Sequence, residues 1–126
     1  MSYNTILPPG EPIIVQTLND DFDVAGELGP AMREVHDVLS AYEKPVFLIV
    51  DMSAYKLSVD DLVVGASMSS GGEEPIFKHP NIRQVVFVSP SKIVELAAKG
   101  MNTATFGHVD IRVFASQEAA LAYVRA

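Results

Sequence analysis

The sequence contains no cysteine. Disulfide bonds, zinc–thiolate sites, iron–sulfur clusters and thiol nucleophiles are therefore all excluded. A chain of 126 residues buries roughly two-thirds of the surface that its unfolded form exposes, so it needs neither a disulfide nor a metal to fold. The lack of cysteine also fits a reducing compartment, and we expect a cytoplasmic protein that carries no cofactor.

Long hydrophobic runs are missing as well. The longest runs without alanine are Val46–Val50 and Val85–Val88, far short of the ~20 residues that span a bilayer. The first ten residues, MSYNTILPPG, have neither a basic start nor a long apolar core, so they do not resemble a signal peptide. We therefore expect a soluble chain that does not insert into a membrane.

Positive charge is scarce. Nine Lys and Arg stand against sixteen Asp and Glu, for a formal net charge of −7, and the basic residues are scattered along the chain. Phosphate backbones and anionic lipid headgroups repel such a surface. Binding to nucleic acid and electrostatic docking to a membrane are both unfavourable.

Apolar residues are plentiful, at 48%, and they fall into an alternating order of strands and helices. Val46–Val50 and Val85–Val88 are unbroken apolar runs, which favour central strands of a parallel sheet covered on both faces. Strands are also predicted at 3–7, 13–18 and 109–114, and helices at about 29–42, 58–68, 90–104 and 116–124. The first helix is expected to begin near Gly29, with Pro30 in its first turn, and Ser89 and Ser116 are expected to cap the last two helices.

This order predicts an α/β fold in one domain, residues 1–126. The expected architecture is a right-handed (βα)4 winding of a mostly parallel sheet in sequential strand order, with an N-terminal edge strand or hairpin. In such a winding the crossover helices lie mainly on one face of the sheet, yet the two central runs are apolar on both faces. The N-terminal hairpin or a second subunit must cover the other face, and we expect a homodimer on this basis.

Several local phrases resemble the SpoIIAA-like group, the STAS and SEC14-like α/β domains that include anti-sigma-factor antagonists. Pro45 to Ser53, PVFLIVDMS, is similar to the strand of that group that ends in Asp-Leu-Ser. His79-Pro80-Asn81-Ile82 before a strand, and Ile111 to Phe114 followed by Glu118 to Leu121, add to the likeness. The resemblance covers about residues 11–126 and implies a regulatory domain that binds protein partners.

The resemblance also implies a switch, because antagonists of this group accept a phosphate on a serine at the start of the second helix. That serine lies in an Asp-Ser-Ser-Gly phrase, whereas this sequence has Ser58 in Leu-Ser-Val-Asp-Asp. From the residues themselves, Asp51 and Ser53 follow a central strand, at the sheet edge where ligands collect. Ser58 begins a helix, where backbone N–H groups favour anions. Asp51, Ser53 and Ser58 are thus a candidate ligand or phosphorylation site, although each also fits a purely structural role in a loop or cap.

Other candidate centres are weak. His36, His79 and His108 lack the close spacing of a metal motif, so no metal site is predicted. The glycines at 71 and 72 follow a helix instead of preceding one, which argues against a phosphate-binding loop. Glu73 and Glu74 are typical of solvated loop acids. No arrangement combines a nucleophile, a base and an oxyanion donor, so we expect no enzyme.

Two functions therefore stay open. The first is a non-catalytic regulatory or protein-interaction module. The alternative is a carrier of a small apolar or lipid-like ligand, as the SEC14-like side of the resemblance implies. An adaptable pocket for that ligand would be lined by Met52, Leu57, Met68, Phe77, Met101 and Phe106, residues that an ordinary core would also use.

Overall fold

A computed structural model describes residues 3–42, 44–55, 81–101 and 111–125 of the chain. In these ranges five strands form one sheet: β1 (Tyr3–Ile6), β2 (Ile13–Leu18), β3 (Val46–Asp51), β4 (Ile82–Val88) and β5 (Ile111–Phe114). Three helices accompany them: α1 (Val24–Ser40), α2 (Lys92–Met101) and α3 (Gln117–Arg125). The helix expected at 58–68 lies outside the described residues.

The sheet has the sequential order β1-β2-β3-β4-β5. β1 is an antiparallel edge strand on β2, and the other three pairings are parallel. The predicted α/β class, the mostly parallel sheet, its strand order and its N-terminal edge strand are therefore confirmed. One extra residue in β4, Arg83, shifts the register between Val46 and Phe47 of β3, as a β-bulge does.

A tight turn joins β1 to β2. The N–H of Glu11 donates to the carbonyl of Pro8 at 3.2 Å, and Gly10 has a φ of 73°. A proline followed by a residue of positive φ is the signature of a type II turn, and glycine adopts that φ without strain. The rigid Pro-Pro-Gly turn therefore reverses the chain, so that β1 can pair with β2 in an antiparallel hairpin.

The first face of the sheet carries the larger cluster. Side chains of β2–β5 pack there against α1 and α2, and the buried members from the helices are Ala31, Val35, Leu39, Val94 and Ala98. Leu28, Met32, Val38 and Tyr42 pack on the same cluster from α1 and its end. The apolar residues that recur every three to four positions in this helix therefore mark the face that it buries.

The second face is covered by α3. Ile13, Val15, Phe47, Ile49, Val86 and Val88 form a cluster there with Ala120 and Val124 of α3. All six strand residues are less than 9% exposed within one chain. The expected dimer was inferred from an open second face, and this reason for it is wrong because α3 lies on that face. Phe87, which belongs to the apolar run Val85–Val88, packs on the first face and not on the second.

Two helix starts differ from the sequence predictions. α1 begins at Val24, not near Gly29, and Pro30 lies inside it. The N–H of Asp23 donates to Glu27 Oε1 at 2.8 Å, and a side chain at Gly26 would come within 2.9 Å of Asp23 Oδ2. Gly26 and Pro30 are both exposed, so water can replace the N–H that proline cannot offer.

The start of α2 is also shifted. The helix begins at Lys92, and Pro90 precedes it. Ser91 Oγ accepts from the N–H of Ile93 at 3.3 Å, so Ser91, not Ser89, is the N-cap. The prediction for α3 is confirmed, since Ser116 Oγ accepts from the N–H of Ala119 at 3.2 Å.

Candidate functional site

The carboxyl ends of the parallel strands meet at one edge of the sheet, which we call the carboxyl edge. It holds Asp51 at the end of β3 and Ser53 just after it, Ser89 after β4, and Asp20 and Asp21 after β2. Hydrogen bonds join neighbouring strand ends at this edge: the N–H of Met52 donates to Val88 O at 2.8 Å, and the N–H of Ser89 donates to Phe114 O at 2.9 Å. The edge is therefore a continuation of the sheet, and its side chains have a rigid support.

Asp51 and Ser53 form the centre of this edge. Asp51 is 7% exposed, and its Oδ1 accepts two hydrogen bonds, from the Ser53 backbone N–H at 2.9 Å and from Ser53 Oγ at 2.6 Å. A side-chain carboxylate that binds the backbone two residues on is an Asx-turn. Ser53 itself is exposed, so a serine whose hydroxyl is held by a buried carboxylate lies at the surface.

Aromatic rings pack beside the turn that follows β3. The N–H of Tyr55 donates to Met52 O at 3.1 Å. The Tyr55 ring meets Phe22 edge to face, with 5.8 Å between centroids, and Phe22 meets Tyr3 in the same way at 5.9 Å. Such pairs stabilise by roughly 0.5–1.5 kcal/mol each beyond their burial. They link β1, the segment before α1 and the turn that positions Ser53.

The hydroxyls after β4 serve the backbone. Ser89 is 6% exposed, and its Oγ accepts from the N–H of Ser91 at 3.1 Å, while Ser91 caps α2. These two serines therefore have a structural role. Ser53 differs from them because it combines exposure with a carboxylate partner.

The charge of the edge is negative. Asp20 and Asp21 are exposed beside the end of β2, and Thr17 of β2 is directly paired with Asp51. Within the described ranges, no group of three or more histidine and carboxylate side chains could hold a metal ion. The chemistry that this edge offers is hydrogen bonding and attraction of positive charge.

The remaining sequence predictions divide into two groups. Asp51 and Ser53 are brought together as expected, whereas Ser58, Leu57, Met68, Phe77, Phe106, His79 and His108 lie outside the described residues. Met52 is 6% exposed and packs in the first-face cluster. The side chain of Met101 is likewise not described. His36 lies on α1, with Nδ1 4.0 Å from Asp37 Oδ1. The expected apolar pocket therefore stays a prediction.

One apolar groove was not foreseen from the sequence. Leu7, Asp37, Val38, Ala41 and Tyr42 line an open groove of about 460 Å³ at the end of α1. The signal for it was present but not used, because Val38 and Tyr42 lie four residues apart at the end of the predicted first helix and Leu7 follows the edge strand. None of the three described helices is long and apolar enough to cross a membrane.

Comparisons with known proteins place the fold. No protein-family model matches the chain, and no curated protein matches it either. A crystal structure of an uncharacterised protein with a SpoIIAA-like fold from Shewanella loihica PV-4 is similar, with a TM-score of 0.55 and 14% identity over 97% of this chain and 91% of that one. An anti-sigma factor antagonist from Mycobacterium paratuberculosis is similar over 99% of this chain and 96% of that one, with a TM-score of 0.53 and 20% identity. The chain has a SpoIIAA-like fold.

Proposed function

We propose that this protein is a non-catalytic regulatory module that binds a protein partner through its carboxyl edge. The observation that carries the proposal is the Asp51–Ser53 turn, in which an exposed serine is held by a buried carboxylate at that edge. Support comes from the full-length likeness to an anti-sigma factor antagonist.

The partner surface is expected to be basic. Asp20 and Asp21 are exposed at the edge, and the whole chain has a net charge of −7. Opposite charge speeds the encounter of two proteins and suppresses binding to wrong partners. A partner with Lys or Arg around an apolar centre, and a donor or acceptor for Ser53, matches this surface.

Modification of Ser53 or Ser58 is the regulation that suits such an edge. A phosphate adds about −1.5 to −2 charge at neutral pH. On Ser53 it would remove the O–H that donates to Asp51 and place like charges together, which would open the turn. Ser58 is the position that the family resemblance indicates, and intact mass after native expression reports a phosphate on either.

The test compares partners captured by chemical crosslinking in cells of the source organism. Three variants are used beside the wild type: Asp21→Lys and Ser53→Glu at the edge, and Glu34→Lys as a matched control, since Glu34 is exposed and lies well along α1, away from the edge. We expect one protein to be lost with both edge variants and kept with the control. With that protein purified, the two edge variants should raise the dissociation constant about tenfold or more, a loss of about 1.4 kcal/mol.

Two outcomes would contradict the proposal. One is equal capture and equal affinity for all three variants, which would move the contact elsewhere. The other is a ligand in place of a partner: a native mass above the denatured mass would favour the carrier that the SEC14-like resemblance implies. Circular dichroism on each variant separates loss of binding from loss of fold.

A further inference from the structure

A basic and apolar stripe runs along the outer side of α2. Leu96 is 66% exposed and Ile93 42% exposed, whereas Val94 and Ala98 of the same helix are buried against the sheet. Lys92 and Lys99 are exposed and lie four residues before and three after Leu96, so Lys92, Leu96 and Lys99 share one face. The exposed Glu95 also lies on this face, three residues after Lys92 and four before Lys99, so the two lysines leave the stripe with a net charge of +1 around its leucine.

The groove at the end of α1 has the opposite character. Among the described residues that line it, Asp37 is the charged one, beside Leu7, Val38, Ala41 and Tyr42. The Asp37 side chain is 77% exposed, with His36 Nδ1 4.0 Å from its Oδ1, and the exposed Arg33 and Glu34 lie one turn before it. The last turn of α1 contains no basic residue, although a helix C-terminus attracts positive charge. The groove thus offers an apolar floor with a carboxylate at its rim.

We propose that the stripe on α2 docks into the groove of α1 on a second copy of this chain. Leu96 fills the apolar groove, where it meets Leu7 and Val38, and Lys99 or Lys92 pairs with Asp37. Shape and charge match in both respects, as a projecting leucine faces a groove and two ammonium groups face a carboxylate.

The arrangement of the helices permits a closed dimer. α1 and α2 both pack on the first face of the sheet, so their outer surfaces point to the same side of the molecule. A two-fold axis across that side brings α2 of each copy to α1 of the other. The contact is then made twice and the assembly closes, as a two-fold dimer requires.

The proposed dimer interface lies on the helices of the first face. The sequence prediction instead assumed an interface on the second face of the sheet. The proposed dimer does not depend on the proposed function, because Leu7, Asp37, Leu96 and Lys99 lie away from the carboxyl edge and only Lys92, at the start of α2, is close to it. A monomeric protein would overturn the dimer and leave the partner test unaffected.

The experiment is a charge swap followed by analytical ultracentrifugation over a range of concentrations. The wild type is expected to dimerise, and Asp37→Lys or the pair Lys92→Glu and Lys99→Glu is expected to raise the dimer dissociation constant about tenfold or more. The chain with all three changes should recover most of the lost affinity, because the ion pairs form with reversed sign. Glu118→Lys, with the same charge change as Asp37→Lys on a different face, should behave as the wild type.

Leu96→Gln gives a second, charge-neutral test, and it is expected to weaken the dimer as much as the charge variants. All of the substituted residues are exposed, so the variants should keep the thermal midpoint of the wild-type monomer. A wild type that stays monomeric at every concentration, or a charge swap that recovers nothing, overturns the proposal.

Discussion

The two faces of the sheet are covered in different ways. On the first face, α1 and α2 supply five buried side chains, and the cluster extends to Phe22 and Met52. On the second face, α3 has nine residues and supplies only Ala120 and Val124. Aromatic rings add to the cover that α3 gives the second face. The Tyr123 ring lies 5.2 Å from Phe114 and 6.5 Å from Phe47 between centroids. The Arg83 guanidinium stacks over Phe47 at 5.0 Å.

Within the described ranges, one short helix covers the second face together with large aromatic rings. Each face also has a buried glutamine that ties a helix to the sheet. Gln16 Nε2 donates to Ala31 O of α1 at 3.0 Å, and Gln84 Oε1 accepts from Tyr123 Oη of α3 at 2.6 Å. A buried amide must find such partners, so the two glutamines fix where each helix lies.

Adjacent valines of β4 allow the two faces to be compared directly. Val85 is 1% exposed on the first face and Val86 is fully buried on the second. Val85→Ala should lower the free energy of unfolding by roughly 2–3 kcal/mol, from two lost methyl groups and the cavity they leave. Val86→Ala should cost about 1 kcal/mol less, because the short α3 can move inward and shrink that cavity.

Urea denaturation of both variants measures this difference, with equal m-values as the check that unfolding stays two-state. Equal losses would mean that α3 holds its position as firmly as the longer helices do.

The polar ties give a second, smaller contrast. Asn81 Nδ2 donates to Leu39 O and to Tyr42 O, both at 2.9 Å, and so holds the end of α1 to the start of β4. Asn81→Ala removes both bonds and should cost about 1–3 kcal/mol, whereas Tyr123→Phe removes one bond on the other face and should cost about 1 kcal/mol. Thermal unfolding ranks the two, and a larger loss for Tyr123→Phe would show that the second face depends more on its polar tie.

Much of the fold could be predicted from the sequence, since it depends on local pattern. Unbroken apolar runs identified β3 and β4, and Ser116 identified the start of α3. The side of the sheet on which α3 packs could not be predicted, because its buried residues are only Ala120 and Val124 and their spacing is the same for either face. The start of α1 was predicted too late because Pro30 was placed in the first turn of the helix. The hydrogen bond from the Asp23 N–H to Glu27, at the true start, can be seen only in the folded chain.

The candidate site divides in the same manner. The Asx-turn of Asp51 and Ser53 depends on residues two apart that follow a strand, so the sequence could place them together. The groove of α1 requires Leu7, thirty residues from Asp37 in the sequence, to lie beside the helix, and only the hairpin brings it there. Local pairs are therefore predictable, whereas surfaces built from distant segments are not.

The smallest effect is expected at the rim of the second face. Arg125 Nε lies 3.1 Å from Glu11 Oε2 and joins the end of α3 to the segment before β2, with side chains 49% and 34% exposed. Exposed ion pairs contribute about 0.2–1 kcal/mol because water and salt screen them. Arg125→Gln should therefore lower the free energy of unfolding by no more than a few tenths of a kcal/mol, and the loss should fade in high salt. If the loss exceeds that of Tyr123→Phe and persists in salt, the arginine stem packs on the aromatic rings and the cover of the second face extends to the last turn of α3.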